Sequence, residues 1–210
     1  MYIDAIKNYV PEDKREENDK KVMLAFIDAH KKDVLTRDNK IAHLCASGFI
    51  LNETLDKTLM IHHNLYNSWG WTGGHADGNP DLLAVALKEA CEETGLKHLV
   101  PMSQCPQSID ILPVWSHEKL TQPVSAHLHL TLTYLLIADE SQPLIIKADE
   151  NSGVKWIPIA EIARYSTEPA MLPIYEKLIR RAKKLKKTCA GVNIRRESHH
   201  AEFETYKKIL

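Results

Sequence analysis

An α/β or α+β layered domain on a mixed sheet is predicted by three features of the chain. Short β-rich runs are bounded by turn residues, one long helix is set among them, and amphipathic helical stretches lie towards both ends. Residues 2–10 place Ile3, Ile6 and Val10 at helical spacing and predict a first helix. Pro11 opens a second, in which Val22, Phe26 and Ala29 recur on one face and the run EDKREENDKK reads as the solvated side. From Ala42 the character changes to strands. HLCASGFIL, TLMIHHN, SIDILPVW and SAHLHLTLTYLLIA follow one another, with a single long helix between the second and third. VKWIPI reads as a further strand, IAEIARY as a short helix and PIYEKLIRRAKKLKK as a closing amphipathic helix. That last helix aligns Ile174, Leu178, Ala182 and Leu185, while Lys177, Arg180, Arg181, Lys183, Lys184, Lys186 and Lys187 are expected to form a solvated face.

Composition narrows the function classes. With 210 residues, 44% hydrophobic and 26% charged, the chain suits one substantial domain with extensions, or at most two small ones. The formal net charge of −1 supplies no global field for nucleic acid or a membrane surface. Cys45, Cys91, Cys105 and Cys189 are widely spaced with no C-x-x-C pair, which fits a reducing compartment. The opening MYIDAIKNYVPEDKREENDKK lacks a signal-peptide design, and no window approaches the roughly 18 apolar residues of a membrane span. A cytoplasmic address is the expectation.

The stretch GGHADGNPDLLAVALKEACEETGL carries the chemistry. Asn79-Pro80-Asp81 is a helix start, with a capping side chain, a proline at the first helical position and an acid in the first turn. Gly95 is a natural stop. Between them Glu89, Glu92 and Glu93 stand in an i, i+3, i+4 relation, so their side chains share one sector of the helix. Such a cluster is often plain solvated surface. Left alone, each like-charge pair costs a few tenths of about 1 kcal/mol, and a divalent cation turns that repulsion into coordination. Hard oxygen donors select Mg2+, Mn2+ or Ca2+. The Gly73-Gly74 turn ahead of the helix favours this reading, because it lets backbone approach a ligand closely.

These residues resemble the signature of the Nudix hydrolases: a glycine, five residues, a glutamate, seven residues, then Arg-Glu-apolar-x-Glu-Glu-x-Gly-apolar. Counted from Gly74, HADGN leads to Pro80, DLLAVAL leads to Lys88, and EACEETGL follows in register. Pro80 stands where the first glutamate belongs, with Asp81 beside it, and Lys88 stands where the arginine belongs, keeping the charge without the bidentate fork. WGWTGGH, HLHLTLTYLL and DENSGVKWIPIAEI resemble further parts of the family. The resemblance covers about residues 40–163. It implies an α/β/α sandwich with a central mixed sheet, with residues 1–39 as a helical extension, 40–187 as the domain and 188–210 as a tail.

The resemblance also implies hydrolysis of a pyrophosphate bond in a nucleoside diphosphate linked to another moiety, with Mg2+ as cofactor and Mn2+ as alternative. The partner is then a small molecule, with no nucleic acid and no membrane. Glu92 and Glu93 would be metal ligands with the Gly73 carbonyl, and Glu89 a ligand or a base acting through water. Lys88 would orient the glutamates. Glu150 is the first candidate for a further acid, ahead of Asp149 and Glu140. Gly74, His75 and Trp71 are candidates for binding substrate, although His75 could equally be a turn residue and Trp71, like Trp69, could simply pack. A competing metal reading uses His127 and His129, which alternate along a strand, with His62, His63 and His75 nearby; hydrogen bonding or pocket lining is the preferred role for them. The alternative function is a non-catalytic module of the same fold that binds a nucleotide or a protein. The N-terminal helices could supply a homodimer contact.

Overall fold

The computed structural model describes residues 2–119 and 121–191. Its helices are α1 (Tyr2–Asn8), α2 (Lys14–Ala29), α3 (Leu82–Thr94), α4 (Ile162–Tyr165, preceded by a 3-10 turn at Ile159–Glu161) and α5 (Leu172–Gly191). Its strands are β1 (Ala42–Asn52), β2 (Lys57–His63), β3 (Ser68–Gly70), β4 (Thr72–His75), β5 (Val100–Pro101), β6 (Ser108–Val114), β7 (His117–Lys119), β8 (Gln122–Val124), β9 (His127–Ala138) and β10 (Asn151–Pro158). Eight strands form a mixed sheet along the path β10-β2-β1-β9-β5, with β3 on β2, β4 on β1 and β6 on β9; β7 and β8 pair by themselves. Helices flank the sheet, as the α/β/α expectation requires. Among the described residues no helix is long and apolar enough to cross a membrane. The expected tail is helical to Gly191 as the end of α5, and residues 192–210 lie outside the described residues.

Two compact units divide the chain. The first holds residues 1–49, 71–90 and 103–134. In it β4 runs antiparallel to the start of β1, with Cys45 opposite His75 and Ser47 opposite Gly73, and β6 pairs with the start of β9. The segment WGWTGGH is therefore not simply a turn: Gly73 and Gly74 lie in a paired strand, and the turn falls later, at Asp77 and Gly78 with φ of 45° and 88°. A Cβ on Gly73 would lie 2.5 Å from Ser47 Oγ and 2.8 Å from the Ala46 carbonyl, so the close approach of strands itself demands glycine.

The N-terminal helices of this unit differ from the expected pattern in which residues face inward. Helix α1 stops at Asn8, so Val10 is 78% exposed and Tyr9 is buried in its place. On α2 the buried positions are Glu16, Met23 and Ile27, while Val22 is exposed and Phe26 stacks on His30. The charged run is not merely solvated. Asp13 caps α2 by accepting from the Glu16 amide, and buried Glu16 accepts from the Tyr9 hydroxyl and the Glu12 amide. Lys20 donates to the carbonyls of Lys7 and Tyr9 at 2.7 and 2.6 Å, closing the end of α1. Asp19 accepts from the Ile111 amide of β6. Specific hydrogen bonds thus override a simple polar-out rule.

The second unit holds residues 50–70, 91–102 and 135–210. Here β2 pairs with the end of β1, with β3 and with β10, and β5 pairs with the end of β9. Helix α5 buries Ile174, Leu178 and Ala182 as expected, and with them Tyr175 and Ile179. Lys177 and Arg181, expected on a solvated face, are only 6% and 7% exposed. They sit three residues after Ile174 and Leu178, inside the same stripe, and their aliphatic stems belong to the packed face.

Candidate functional site

Helix α3 starts later than its sequence suggests. Asp81 Oδ1 accepts from the Ala84 amide at 3.0 Å, so Asp81 is the capping residue, and Asn79 Oδ1 accepts from the Asp81 amide at 2.9 Å. Pro80 therefore lies outside the helix and not at its first position. Leu82, Leu83, Val85, Ala86, Leu87 and Ala90 bury the apolar face. At the far end Gly95 takes φ +78° and donates its amide to the Cys91 carbonyl at 2.9 Å. A Cβ there would lie 2.6 Å from Ile145 Cβ, so Gly95 is required by both conformation and contact.

The helix is unbroken from Leu82 to Thr94, so Glu89, Glu92 and Glu93 lie along one stripe. Their surroundings differ sharply. Glu89, 15% exposed, lies against the backbone of β4: a Cβ built on Gly74 would meet Glu89 Cδ at 2.6 Å and Cγ at 2.8 Å. Gly74 thus makes room for a glutamate side chain. Lys88, 56% exposed, places its ammonium 3.1 Å from Glu89 Oε1, without the planar fork that an arginine would offer there.

In the second unit Glu93 is 2% exposed and Glu92 is 42% exposed. Lys147 reaches Glu92 Oε2 at 3.6 Å and Glu150 Oε2 at 3.0 Å, so one ammonium bridges two carboxylates. Asn151, at the start of β10, donates its side-chain amide to the Glu93 carbonyl at 2.9 Å. These links bring the Glu150 segment to the end of α3. Of the other acids considered, Glu140 pairs with Lys57 at 3.0 Å and Asp149 is exposed. Lys147 was not singled out by sequence. Its signal was there: a lysine three residues before an acid in a loop, with no helix to solvate it.

The aromatic and histidine candidates separate. Trp71 is half-buried. Trp69 packs edge-on against His62 and Tyr165, with ring centroids 5.4 and 6.2 Å away. His62 shares a 2.8 Å hydrogen bond with Ser152 Oγ, and His63 accepts from the Leu65 amide. His75, in contrast, joins His43 and His129, with ring centroids 5.0 and 4.9 Å away.

The structure thus places three acids on one helix, glycines cleared for close approach beside it and the Lys147 ammonium between Glu92 and Glu150. The NUDIX domain family matches residues 42–178. No curated protein matches the chain. Among solved structures, the NUDIX domain of Shewanella oneidensis NrtR complexed with ADP ribose is similar, at 18% identity over 75% of this chain and 97% of that one, TM-score 0.50. The E. coli dihydroneopterin triphosphate pyrophosphohydrolase is similar at 14% identity over 65% and 94%, TM-score 0.50. At these identities the likeness concerns the fold. The match to the domain spans well over half the chain, which belongs to the Nudix family of pyrophosphohydrolases.

Proposed function

We propose that this chain hydrolyses a pyrophosphate bond in a nucleoside diphosphate joined to another moiety, giving a nucleoside monophosphate and the phosphorylated moiety, with Mg2+ as cofactor and Mn2+ as alternative. The observation that carries this reading is the alignment of Glu89, Glu92 and Glu93 on α3, with Lys147 already seated between Glu92 and Glu150. Two carboxylates turned towards one ammonium have the orientation a cation needs, and an all-oxygen donor set suits a hard dication. When bound, Mg2+ would neutralise pyrophosphate charge and lower the pKa of a coordinated water.

The protein's own residues divide the remaining work. Glu92, Glu93 and Glu150, with the Gly73 carbonyl, would hold the cation. Glu89, pressed on Gly74, is a further ligand or the carboxylate that accepts the proton of the attacking water. Lys88 orients Glu89 and adds positive potential for the phosphates. Trp71, Gly74 and His75 contribute to the substrate side. We take residues 40–187 as the domain proper, with residues 1–39, which include α1 and α2, as an extension that could serve a homodimer. A cytoplasmic location fits the cysteine pattern.

A hydrolysis screen over nucleoside diphosphate conjugates with Mg2+ and Mn2+ tests the proposal in wild type, Glu92→Gln and Glu93→Gln. Turnover of at least one conjugate, reduced roughly a hundredfold or more in both variants, is expected. Equal rates in all three proteins remove the site assignment. Saturable nucleotide binding without turnover under any metal favours the non-catalytic module.

A further inference from the structure

The first unit contains a second cluster of metal-binding chemistry, of which the hydrolytic reading uses only His75. His43, Cys45, His75 and His129 each offer a donor atom, and these atoms all lie within 4.8 Å of one another. Sheet geometry explains the convergence. His43 and Cys45 alternate on β1 and so face the same way, His75 on β4 stands directly opposite Cys45, and His129 comes from β9. The ring of His43 lies 5.0 Å from that of His75 and 5.2 Å from that of His129.

We propose that His43, Cys45, His75 and His129 form a binding site for a transition-metal dication of the zinc class, held by three imidazoles and one thiolate.

Two observations support a ligand here over ordinary packing. First, His43 is only 4% exposed, and its Nε2 is buried with no hydrogen-bond partner. A bare buried nitrogen of this kind is costly unless something occupies its lone pair. Secondly, His43 Nδ1 lies 3.1 Å from the Asn39 carbonyl, which can only accept. The proton therefore sits on Nδ1, and Nε2 is left as the donor to a metal; this is the arrangement that orients ligating histidines. Neutral imidazole is the form that ligates.

Bond lengths of about 2.0–2.3 Å put tetrahedral donor atoms about 3.3–3.8 Å apart. A contraction of roughly 1 Å, within reach of side-chain torsions, completes the shell. Binding of the dication breaks the Cys45 S–H bond, forms a metal–sulfur bond and releases the proton to solvent. The soft thiolate and imidazoles select zinc-class ions over Mg2+. Four protein ligands leave no open position, so the ion ties β1, β4 and β9 together and holds the strand that carries Gly74. His127, with its Nε2 3.2 Å from His129 Nε2, flanks the shell.

Metal content of the full chain, purified under reducing conditions, and a Co2+ titration after chelation test this site. About one zinc-class ion per chain is expected, as one tetrahedral site requires. Cobalt should produce a sulfur-to-cobalt charge-transfer band that Cys45→Ser abolishes. His129→Gln should weaken binding roughly tenfold or more, whereas His98→Gln should leave it unchanged. Should Cys45→Ser fail to fold, a metal-dependent rise in the wild-type melting temperature that His129→Gln lacks reads the same site. A chain that takes up no cobalt, a cobalt band unaltered by Cys45→Ser, or a melting temperature indifferent to metal overturns the proposal.

Discussion

Replacing Gly74 by alanine should displace Glu89 without unfolding the protein. The added Cβ would stand 2.6 Å from Glu89 Cδ, 2.8 Å from Cγ and 2.9 Å from Oε1. Ordinary carbon–carbon contact is about 3.5–4.0 Å, so the carboxylate must retreat by about 1 Å. The atoms in the way belong to one flexible side chain, which makes the stability cost small. A catalytic group misplaced by about 1 Å can lose about a hundredfold in rate. The comparison variant is Gly78→Ala, where φ is +88° and a Cβ meets nothing within 4 Å. It should lose about 1–2 kcal/mol of stability to backbone strain and none of its activity. Measurement of kcat/KM on the best conjugate, beside a denaturant titration, separates the two. Wild-type kcat/KM in Gly74→Ala, with Glu89→Gln impaired, would refute the link between this glycine and the position of Glu89.

Other perturbations follow from the same geometry. Lys147→Met leaves Glu92 and Glu150 facing each other without their shared ammonium; the pair contacts are partly exposed, so stability in chelator should fall by about 1 kcal/mol or less. The same variant should bind Mg2+ more tightly, seen as a larger rise in melting temperature per added magnesium. Gly95→Ala combines a φ of +78° with a Cβ 2.6 Å from Ile145 Cβ and 2.9 Å from its backbone nitrogen, and urea unfolding should show a loss of about 2–4 kcal/mol. Burial, opposed by a hydrogen bond from Ser68, holds the Glu168 carboxyl above its ordinary value of 4.5. A raised carboxyl penalises the folded state once ionised, so this contribution to stability is present below the ordinary value and is lost as pH rises through the folded one. Glu168→Gln should therefore be more stable than wild type at pH 7, with the difference vanishing in acid.

Short β-rich runs bounded by turn residues located β1, β2, β6, β9 and β10 from sequence. The acidic stripe of α3 was legible for a local reason: i, i+3, i+4 spacing is a property of one helix. What depends on partners from elsewhere was not. Gly73 and Gly74 read as a turn, yet pairing with Ala46 and Ser47 makes them a strand. On α2 the sequence pattern favoured Val22, Phe26 and Ala29, whereas the buried face holds Glu16, whose carboxylate accepts from the Tyr9 hydroxyl and the Glu12 amide. Histidines 127, 129 and 75 attracted notice, but His43 and Cys45 did not, because ligands gathered across strands leave no fixed spacing in the chain. His62 and His63, drawn into the same group by proximity in sequence, have other partners.

Mn2+ binding followed by electron paramagnetic resonance reads the acidic face of α3 directly. Free Mn2+ gives a sharp signal that is lost on binding, so wild type, Glu92→Gln and Glu93→Gln can be titrated side by side. Clear saturable binding in wild type, weakened roughly tenfold or more in each variant, is the expected result. Identical titrations in all three would mean that these carboxylates do not hold the cation.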